Sequence, residues 1–310
     1  MRESSKILLD KYQVRKSTQQ KEVFANWLSS HLKDYGYDVK RDNYSKNGTN
    51  LIVGDINKAD VILTAHYDTQ ANFYFPIFMG FSNWISFFIS QVWTLIPMIL
   101  VLIVIVSISN VLNLDLGTTL IISLLGLFGY SLFMSYSAAN KHTANDNTSG
   151  VATLLSIMEE LPIELREKVC FVFFDEEESG LIGSMAFNKK HKNIINEKPM
   201  INFDCVSDGG TLYFVTKKQF RESFFSDLLE LSVGTTLKDS SKDYQFGSAF
   251  KNVYTSDQIF YKNSVGVCAA KKAPLFGYYI DRVHTKRDTT FDPENIRLLS
   301  QIMIDFLHKI

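Results

Sequence analysis

The sequence predicts an α/β fold, a three-layer αβα sandwich with a mostly parallel central sheet. Strand-like and helical segments alternate along most of the chain, which is the pattern of layered α/β domains. The run KVCFVFF at 168–174 is almost wholly apolar, as expected for a strand in a sheet covered on both faces. Two long apolar segments near the middle of the chain interrupt this pattern, and we expect them to form an inserted helical hairpin.

The individual elements follow from periodicity and from end signals. The segment 18–35 places Phe24, Leu28 and Leu32 on one helical face, and Gly36 follows as a stop signal. Asp292 and Pro293 are suited to the N-cap and the first position of a last helix that runs to the end of the chain. Further helices are predicted at 149–161 and 219–231, and strands at 37–44, 50–53, 61–65, 168–174, 199–203, 211–215 and 264–269.

The predicted hairpin occupies residues 73–140, between the two parts of the main domain at 1–72 and 141–310. Between Thr69 and Asn140 the only charged residue is Asp115. The runs 84–112 and 117–138 are each long enough to cross a bilayer, which takes about 20 helical residues. A pair of buried helices, an apolar lid and a dimerisation arm are the alternatives for a soluble protein.

Charge around the hairpin predicts its orientation. The connector between the two runs lacks Lys and Arg, whereas the flanking chain contains many of both. The positive-inside rule then predicts a multi-pass cell-membrane protein with two spans, and with the main domain and both termini in the cytoplasm. Because a two-span hairpin returns the chain to the side it left, the residues before and after it can build one domain.

Composition excludes some classes of protein. The formal net charge is −1 and the basic residues are scattered, so the sequence predicts no nucleic-acid surface. The three cysteines form no CxxC pair and lie in or beside apolar strands, which favours reduced, buried thiols. The sequence leaves the oligomeric state open.

Five short segments carry most of the chemistry. They are AHYDT with His66 and Asp68, ANDNTSG with Asp146, DEEESGLIGS with Glu177 and Glu178, INFDC with Asp204, and VHTKRDT with His284. Imidazoles and carboxylates suit zinc and similar divalent ions, and a carboxylate can bridge two of them. Several of these residues directly follow apolar strands, and ligands of open α/β sheets collect at the carboxyl ends of strands. The sequence therefore predicts one site with the residue types of a two-metal hydrolase.

In combination and in this order, the five segments resemble peptidase family M28, the zinc aminopeptidases, which implies a zinc-exopeptidase-like fold. The resemblance covers nearly all of the chain outside the hairpin. It implies two divalent metal ions, most readily Zn²⁺, and peptide substrates with a free N-terminus. The implied metal ligands are His66, Asp146, Glu178, Asp204 and His284, with Asp146 shared by both ions.

The resemblance also assigns the two catalytic residues. Aligning GLIGS with the family motif selects Glu177 as the general base for a water held between the metals, and leaves Glu176 as a bystander. Asp68 would orient the other ring nitrogen of His66. The family implies a cis peptide bond after Asp146. It also often has a histidine where this chain has Gln258 in SDQ, so the role of that histidine is absent or filled differently.

Two other functions remain open at this point. A glutaminyl-cyclase-like enzyme would use a similar acid set around a single zinc. A non-catalytic peptide-binding membrane protein could be built on the same fold.

Overall fold

The structure is a computed structural model that describes residues 1–310, except for the side chain of Ser135. Among the described residues, ten strands form one mixed sheet with the order β1-β2-β5-β3-β6-β9-β10-β4, and β7 pairs with β8 and β9. The four central strands β5, β3, β6 and β9 are parallel to one another. The strands are β1 (Val39–Asn43), β2 (Thr49–Val53), β3 (Val61–His66), β4 (Phe78–Gly80), β5 (Val169–Phe174), β6 (Met200–Phe203), β7 (Thr211–Thr216), β8 (Asp243–Ser248), β9 (Ser264–Ala273) and β10 (Gly277–Asp281).

Helices cover both faces of this sheet. Alternate residues of each central strand enter two different cores, because successive side chains of a strand point to opposite faces. On β5, Phe171 and Phe173 pack with the helices of one layer, whereas Val172 and Phe174 pack with Phe187 on the other face. The predicted three-layer α/β fold is thereby confirmed. The helices are α1 (Glu3–Lys11), α2 (Thr18–Lys33), α3 (Trp84–Val111), α4 (Leu116–Tyr136), α5 (Gly150–Glu160), α6 (Ile182–Ile195), α7 (Lys218–Arg221), α8 (Phe224–Leu237) and α9 (Pro293–Lys309).

Most predicted elements lie within a few residues of their expected bounds, and the last helix has Asp292 as its N-cap, which accepts a hydrogen bond from the Glu294 N–H. Five elements were not predicted from the sequence: α1, α6, β4, β8 and β10. The helix expected at 219–231 is divided instead, because Ser223 adopts an extended backbone between α7 and α8.

Helices α3 and α4 form the hairpin. Asn83 caps α3 through a capping box with Ser86, and the side chain of Asp115 accepts the Thr118 N–H at the start of α4. In the described part of the chain these two helices are long and apolar enough to cross a membrane. Only 6% of the most apolar 18-residue stretch of α3 is buried, and 0% of that of α4. Strand β4 precedes α3 and pairs with β10, so the start of the predicted 73–140 insertion contributes to the main sheet.

Candidate active site

The sheet brings the separated motif residues to one edge. His66 ends β3, Asp204 directly follows β6, and Glu177 and Glu178 lie in the turn after β5. Strands β3 and β5 are in parallel register with His66 beside Phe174, so their carboxyl ends are level. Since parallel strands share their carboxyl edge, residues more than a hundred positions apart become neighbours.

Asp146 reaches this edge from the start of α5. The Asp146–Asn147 peptide bond is cis, as the family resemblance implied. Gly150 allows the helix to begin very close to the end of β6, since a Cβ at this position would lie 2.3 Å from the Phe203 carbonyl oxygen. The Asn147 side chain donates to that carbonyl at 2.9 Å and thereby fixes the turn.

The carboxylate of Asp146 lies between two groups of side chains. Its Oδ1 is 3.3 Å from His66 Nε2, which is in turn 3.5 Å from Asp204 Oδ1. Its Oδ2 is 2.9 Å from His284 Nε2, which is 3.1 Å from Glu178 Oε2. The two oxygens of a single carboxylate thus face two sets of one histidine and one acid each.

The chemistry of these sets fits divalent cations. Among the described side chains, His66 Nε2, Glu178 Oε1 and Asp204 Oδ1 are buried without a hydrogen-bond partner. Three such atoms converging at one place fit coordination to a cation. Potential ligand atoms of His66, Asp146 and Glu178 lie within 4.8 Å of one another, as do those of His66, Glu177 and Asp204.

Asp68 positions both glutamates and the first histidine. Its Oδ1 accepts the Glu177 N–H at 3.0 Å, and its Oδ2 accepts the Glu178 N–H at 3.2 Å. His66 Nδ1, the ring nitrogen that faces away from Asp146, lies 3.3 Å from the Asp68 backbone carbonyl oxygen and 3.5 Å from Oδ1. Asp68 therefore joins the ends of β3 and β5 through its carboxylate.

The three consecutive glutamates have different surroundings. Glu176 accepts a hydrogen bond from the Tyr44 hydroxyl at 3.0 Å, while Glu178 lies beside His284. Desolvation raises the pKa of Glu177 well above its usual range; nearby His66 opposes this effect, and the carboxylates of Glu178 and Asp204 add to it. A partly buried carboxyl group beside the candidate metal ligands is suited to accept and return a proton.

Asp288, from the last motif, supports Asp146. Its carboxylate accepts the Asn145 N–H at 2.8 Å and the Asp146 N–H at 3.0 Å. Asp288 therefore holds the backbone on both sides of the Asn145–Asp146 peptide bond.

Gln258, which stands where the family often has histidine, belongs to a buried network. Its Oε1 accepts from Asn202 at 3.1 Å, and its Nε2 donates to the Tyr254 carbonyl at 3.0 Å. The Tyr254 hydroxyl then donates to the Asp204 carbonyl at 2.9 Å. Gln258 thus helps to hold the backbone of Asp204, a role the sequence did not indicate.

Arg15 is the residue near the site that sequence reasoning missed. Its side chain is fully buried and donates to the Tyr67 carbonyl, and to Thr148 Oγ1 at 3.2 Å. Burial lowers its pKa to about 10, and the charges of Asp68 and Asp146 partly offset that effect. In the sequence Arg15 stands before Lys16 and Ser17, where it resembles a solvated linker residue.

We expect Arg15→Met to lower the unfolding midpoint by about 5–10 °C. Loss of this buried cation leaves the Tyr67 carbonyl without its donor and removes a positive charge beside several carboxylates, which costs roughly 2–4 kcal/mol. The measurement is thermal unfolding of the purified protein. Arg41→Met is the matched control, because Arg41 is partly exposed and pairs with Glu22 at the surface. Loss of such a surface ion pair should lower the free energy of unfolding by at most about 1 kcal/mol. Equal midpoints for the two variants would contradict a structural role for Arg15.

The convergent histidine and carboxylate side chains could hold a metal ion, as in the class of metallohydrolases. The sequence model of peptidase family M28 matches residues 131–307. The chain belongs to peptidase family M28, whose members bind zinc.

Comparison with solved structures shows what the fold is similar to. The glutaminyl cyclase of Bacteroides thetaiotaomicron has 15% identity and a TM-score of 0.57, over 99% of this chain and 95% of the other. The glutaminyl cyclase of Macrostomum lignano has 12% identity and a TM-score of 0.60, over 99% and 88%. BSAP, a zinc aminopeptidase from Bacillus subtilis, has 15% identity over 84% and 49%, with a TM-score of only 0.47. No curated protein sequence matches the chain. At these identities the solved structures establish the fold alone.

Proposed function

We propose that this M28 peptidase is an aminopeptidase that removes N-terminal residues from peptides with the help of two divalent metal ions, most readily Zn²⁺. The observation that supports this most directly is the position of Asp146 between His66 with Asp204 and His284 with Glu178. One carboxylate facing two sets of ligand atoms is the arrangement expected for a shared pair of ions.

In this proposal the metals, when bound, supply Lewis acidity that lowers the pKa of water and polarises the scissile carbonyl. The chain's own residues handle the proton. Glu177 accepts it from the attacking water and returns it to the leaving amine. The hydrogen bond from the Glu177 N–H to Asp68 fixes the backbone from which this carboxylate acts.

A panel of short peptides tests the reaction, each supplied with a free and with an acetylated N-terminus. We expect the detergent-purified protein with Zn²⁺ to release the first residue of the free peptides only, because the ammonium group is part of what an aminopeptidase recognises. Turnover of the acetylated set would contradict this specificity. Conversion of N-terminal glutamine to pyroglutamate, without hydrolysis, would instead favour a cyclase of the kind to which the fold is similar.

We further propose that α3 and α4 anchor the enzyme in the cell membrane, with the peptidase domain and both termini in the cytoplasm. The main domain would then comprise the predicted segments 1–72 and 141–310 together with β4. Both helices expose apolar side chains along most of their length, and the lipid bilayer is the partner that would cover them. The connector between them lacks Lys and Arg, which places it outside the cytoplasm under the positive-inside rule.

Deletion of residues 84–136 tests the anchor. Joining Asn83 to Ser137 through a flexible Gly/Ser linker keeps β4 in the chain. We expect the shortened protein to move from the membrane fraction to the soluble fraction and to remain folded, as judged by its circular dichroism spectrum. Recovery of the folded, shortened protein in the membrane fraction would contradict the anchor.

A further inference from the structure

A cavity of about 330 Å³ adjoins the metal-ligand cluster, and the hairpin supplies part of its wall. Asp68, Gln70 and Glu178 line it from the site, and Phe73 and Met134 are its apolar residues, at the two ends of the hairpin. The rest of the lining is polar and includes Lys16 and Lys21. Because Glu178 belongs to both the cavity and the ligand cluster, the cavity is directly connected to the proposed reaction centre. The hairpin therefore contacts the same space that a substrate would enter.

The entry to the hairpin is fixed against the site. The Phe73 N–H donates to the His284 carbonyl at 2.7 Å, and the Phe73 ring meets the His284 ring edge-on at 5.2 Å. The Asn72 N–H donates to the Ala138 carbonyl at 2.8 Å, which ties the entering strand to the returning chain. These contacts hold the base of the hairpin next to a proposed metal ligand.

Aromatic contacts indicate where the hairpin leaves the domain. The Trp93 indole donates to the Pro76 carbonyl at 2.7 Å, and Tyr74 stacks on Phe133 with ring centres 6.0 Å apart. Trp and Tyr are enriched at membrane–water boundaries. Aromatic residues of α3 and α4 thus contact the segment that leads into the hairpin.

The lengths of the two helices place the bilayer boundary near the level of Trp93 and Phe133. Residues 94–111 of α3 and 116–133 of α4 each comprise roughly 18 residues, or about 27 Å at 1.5 Å per residue. This length nearly matches the hydrocarbon core, which is about 30 Å thick. Met134, the next residue of α4, lines the cavity, so the cavity lies where the bilayer surface is expected.

We propose that the hairpin is a substrate-binding element as well as an anchor, and that the substrates are peptides with a free amino end at the bilayer surface and an apolar body in the membrane. Met134 and Phe73 form the apolar side of the cavity, along which such a peptide reaches Glu178 without leaving the bilayer surface. This inference rests on the proposed aminopeptidase function and specifies the substrate class of the same site.

The test uses the full-length protein reconstituted in phospholipid vesicles and two peptides that share their first five residues. One peptide ends in a charged, water-soluble tail, and the other in an apolar tail of about 12 Leu and Ala residues. The measured quantity is the ratio of kcat/KM for the apolar-tailed peptide to that for the soluble peptide. Partition of the apolar peptide into the vesicles raises this ratio for every variant equally, so differences between variants report contacts with the protein.

We expect Met134→Ser to lower the ratio at least about threefold, because the serine removes apolar contact with the peptide body. Met134→Leu should restore it, since leucine keeps the apolar wall. Leu132→Ser is the matched control: Leu132 lies on the same helix, is 42% exposed and is not a cavity-lining residue. It should leave both the ratio and the turnover of the soluble peptide unchanged.

The possible failures are distinguishable. Turnover of both peptides with the same ratio in Met134→Ser and Leu132→Ser would overturn the inference and leave the aminopeptidase proposal intact. Absence of hydrolysis of either peptide by the unmodified protein would overturn the proposed function and this inference with it. If Met134→Ser does not fold, cross-linking decides: Met134→Cys should react with a maleimide near the N-terminus of the apolar peptide, and equal labelling of Leu132→Cys would contradict the proposal.

Discussion

Glu177→Gln should lower kcat by about 10²–10⁴-fold while the metal content stays the same. Glutamine keeps the size of the side chain but cannot accept the proton of the attacking water. The hydrogen bond from the backbone N–H of residue 177 to Asp68 does not depend on the side chain, so the turn should keep its shape. The measurement combines steady-state hydrolysis of a peptide with elemental analysis of the purified protein.

Glu176→Gln is the matched control for this experiment. Glu176 precedes Glu177 directly but contacts the Tyr44 hydroxyl. We expect its replacement to change kcat by less than about threefold, as for a residue that takes no part in proton transfer. A large loss in Glu176→Gln with near-normal turnover in Glu177→Gln would show that the assignment of the glutamates is displaced by one residue.

Asp146→Asn should remove most of the bound metal and reduce activity to background. The carboxylate of Asp146 faces both His66 and His284, so its loss weakens both proposed metal positions at once. Asparagine retains one carbonyl oxygen as a ligand but loses the negative charge and the second acceptor oxygen. We expect the metal content to fall from about two ions per chain to well below one.

Asp204→Asn, compared with Asp146→Asn, distinguishes a ligand of one metal ion from a ligand shared by both. Asp204 lies beside His66 and belongs to only one of the two sets of candidate ligands. Its replacement should therefore reduce the metal content towards one ion per chain. Elemental analysis of both variants after dialysis against a weak chelator gives the comparison. Equal metal loss in the two variants would contradict a bridging role for Asp146. A wild-type content of one ion would favour the single-zinc alternative.

The glutamate segment illustrates how far sequence reasoning reaches. Three adjacent glutamates are equivalent in composition, and only alignment with a family motif singled out Glu177 and Glu178. The structure adds what distinguishes them physically: Glu176 bonds to Tyr44, Glu178 lies beside His284, and the backbone of both later glutamates is held by Asp68. Their chemical roles remain predictions that the variants above test.

Arg15 and Gln258 show why other parts of the site could not be predicted. Arg15 lies in no motif, and Gln258 departs from the histidine that the family often has at its position, so each acquires its role only through buried contacts. Arg15 binds the Tyr67 carbonyl across the fold, and Gln258 acts on Asp204 through Tyr254. Such contacts depend on burial, which local sequence does not encode.

The sequence by itself determined the α/β class and the presence of two apolar helices. These properties follow from the periodicity and the length of apolar runs, which are local. The choice of the candidate metal ligands rested on the resemblance to family M28 and stays a prediction. Only the tertiary structure decided that β4 joins the main sheet, that Asp146 faces two sets of ligands, and that Met134 lines a cavity beside Glu178. Those features arise from contacts between residues far apart in the chain, which are set by how the sheet and helices pack together.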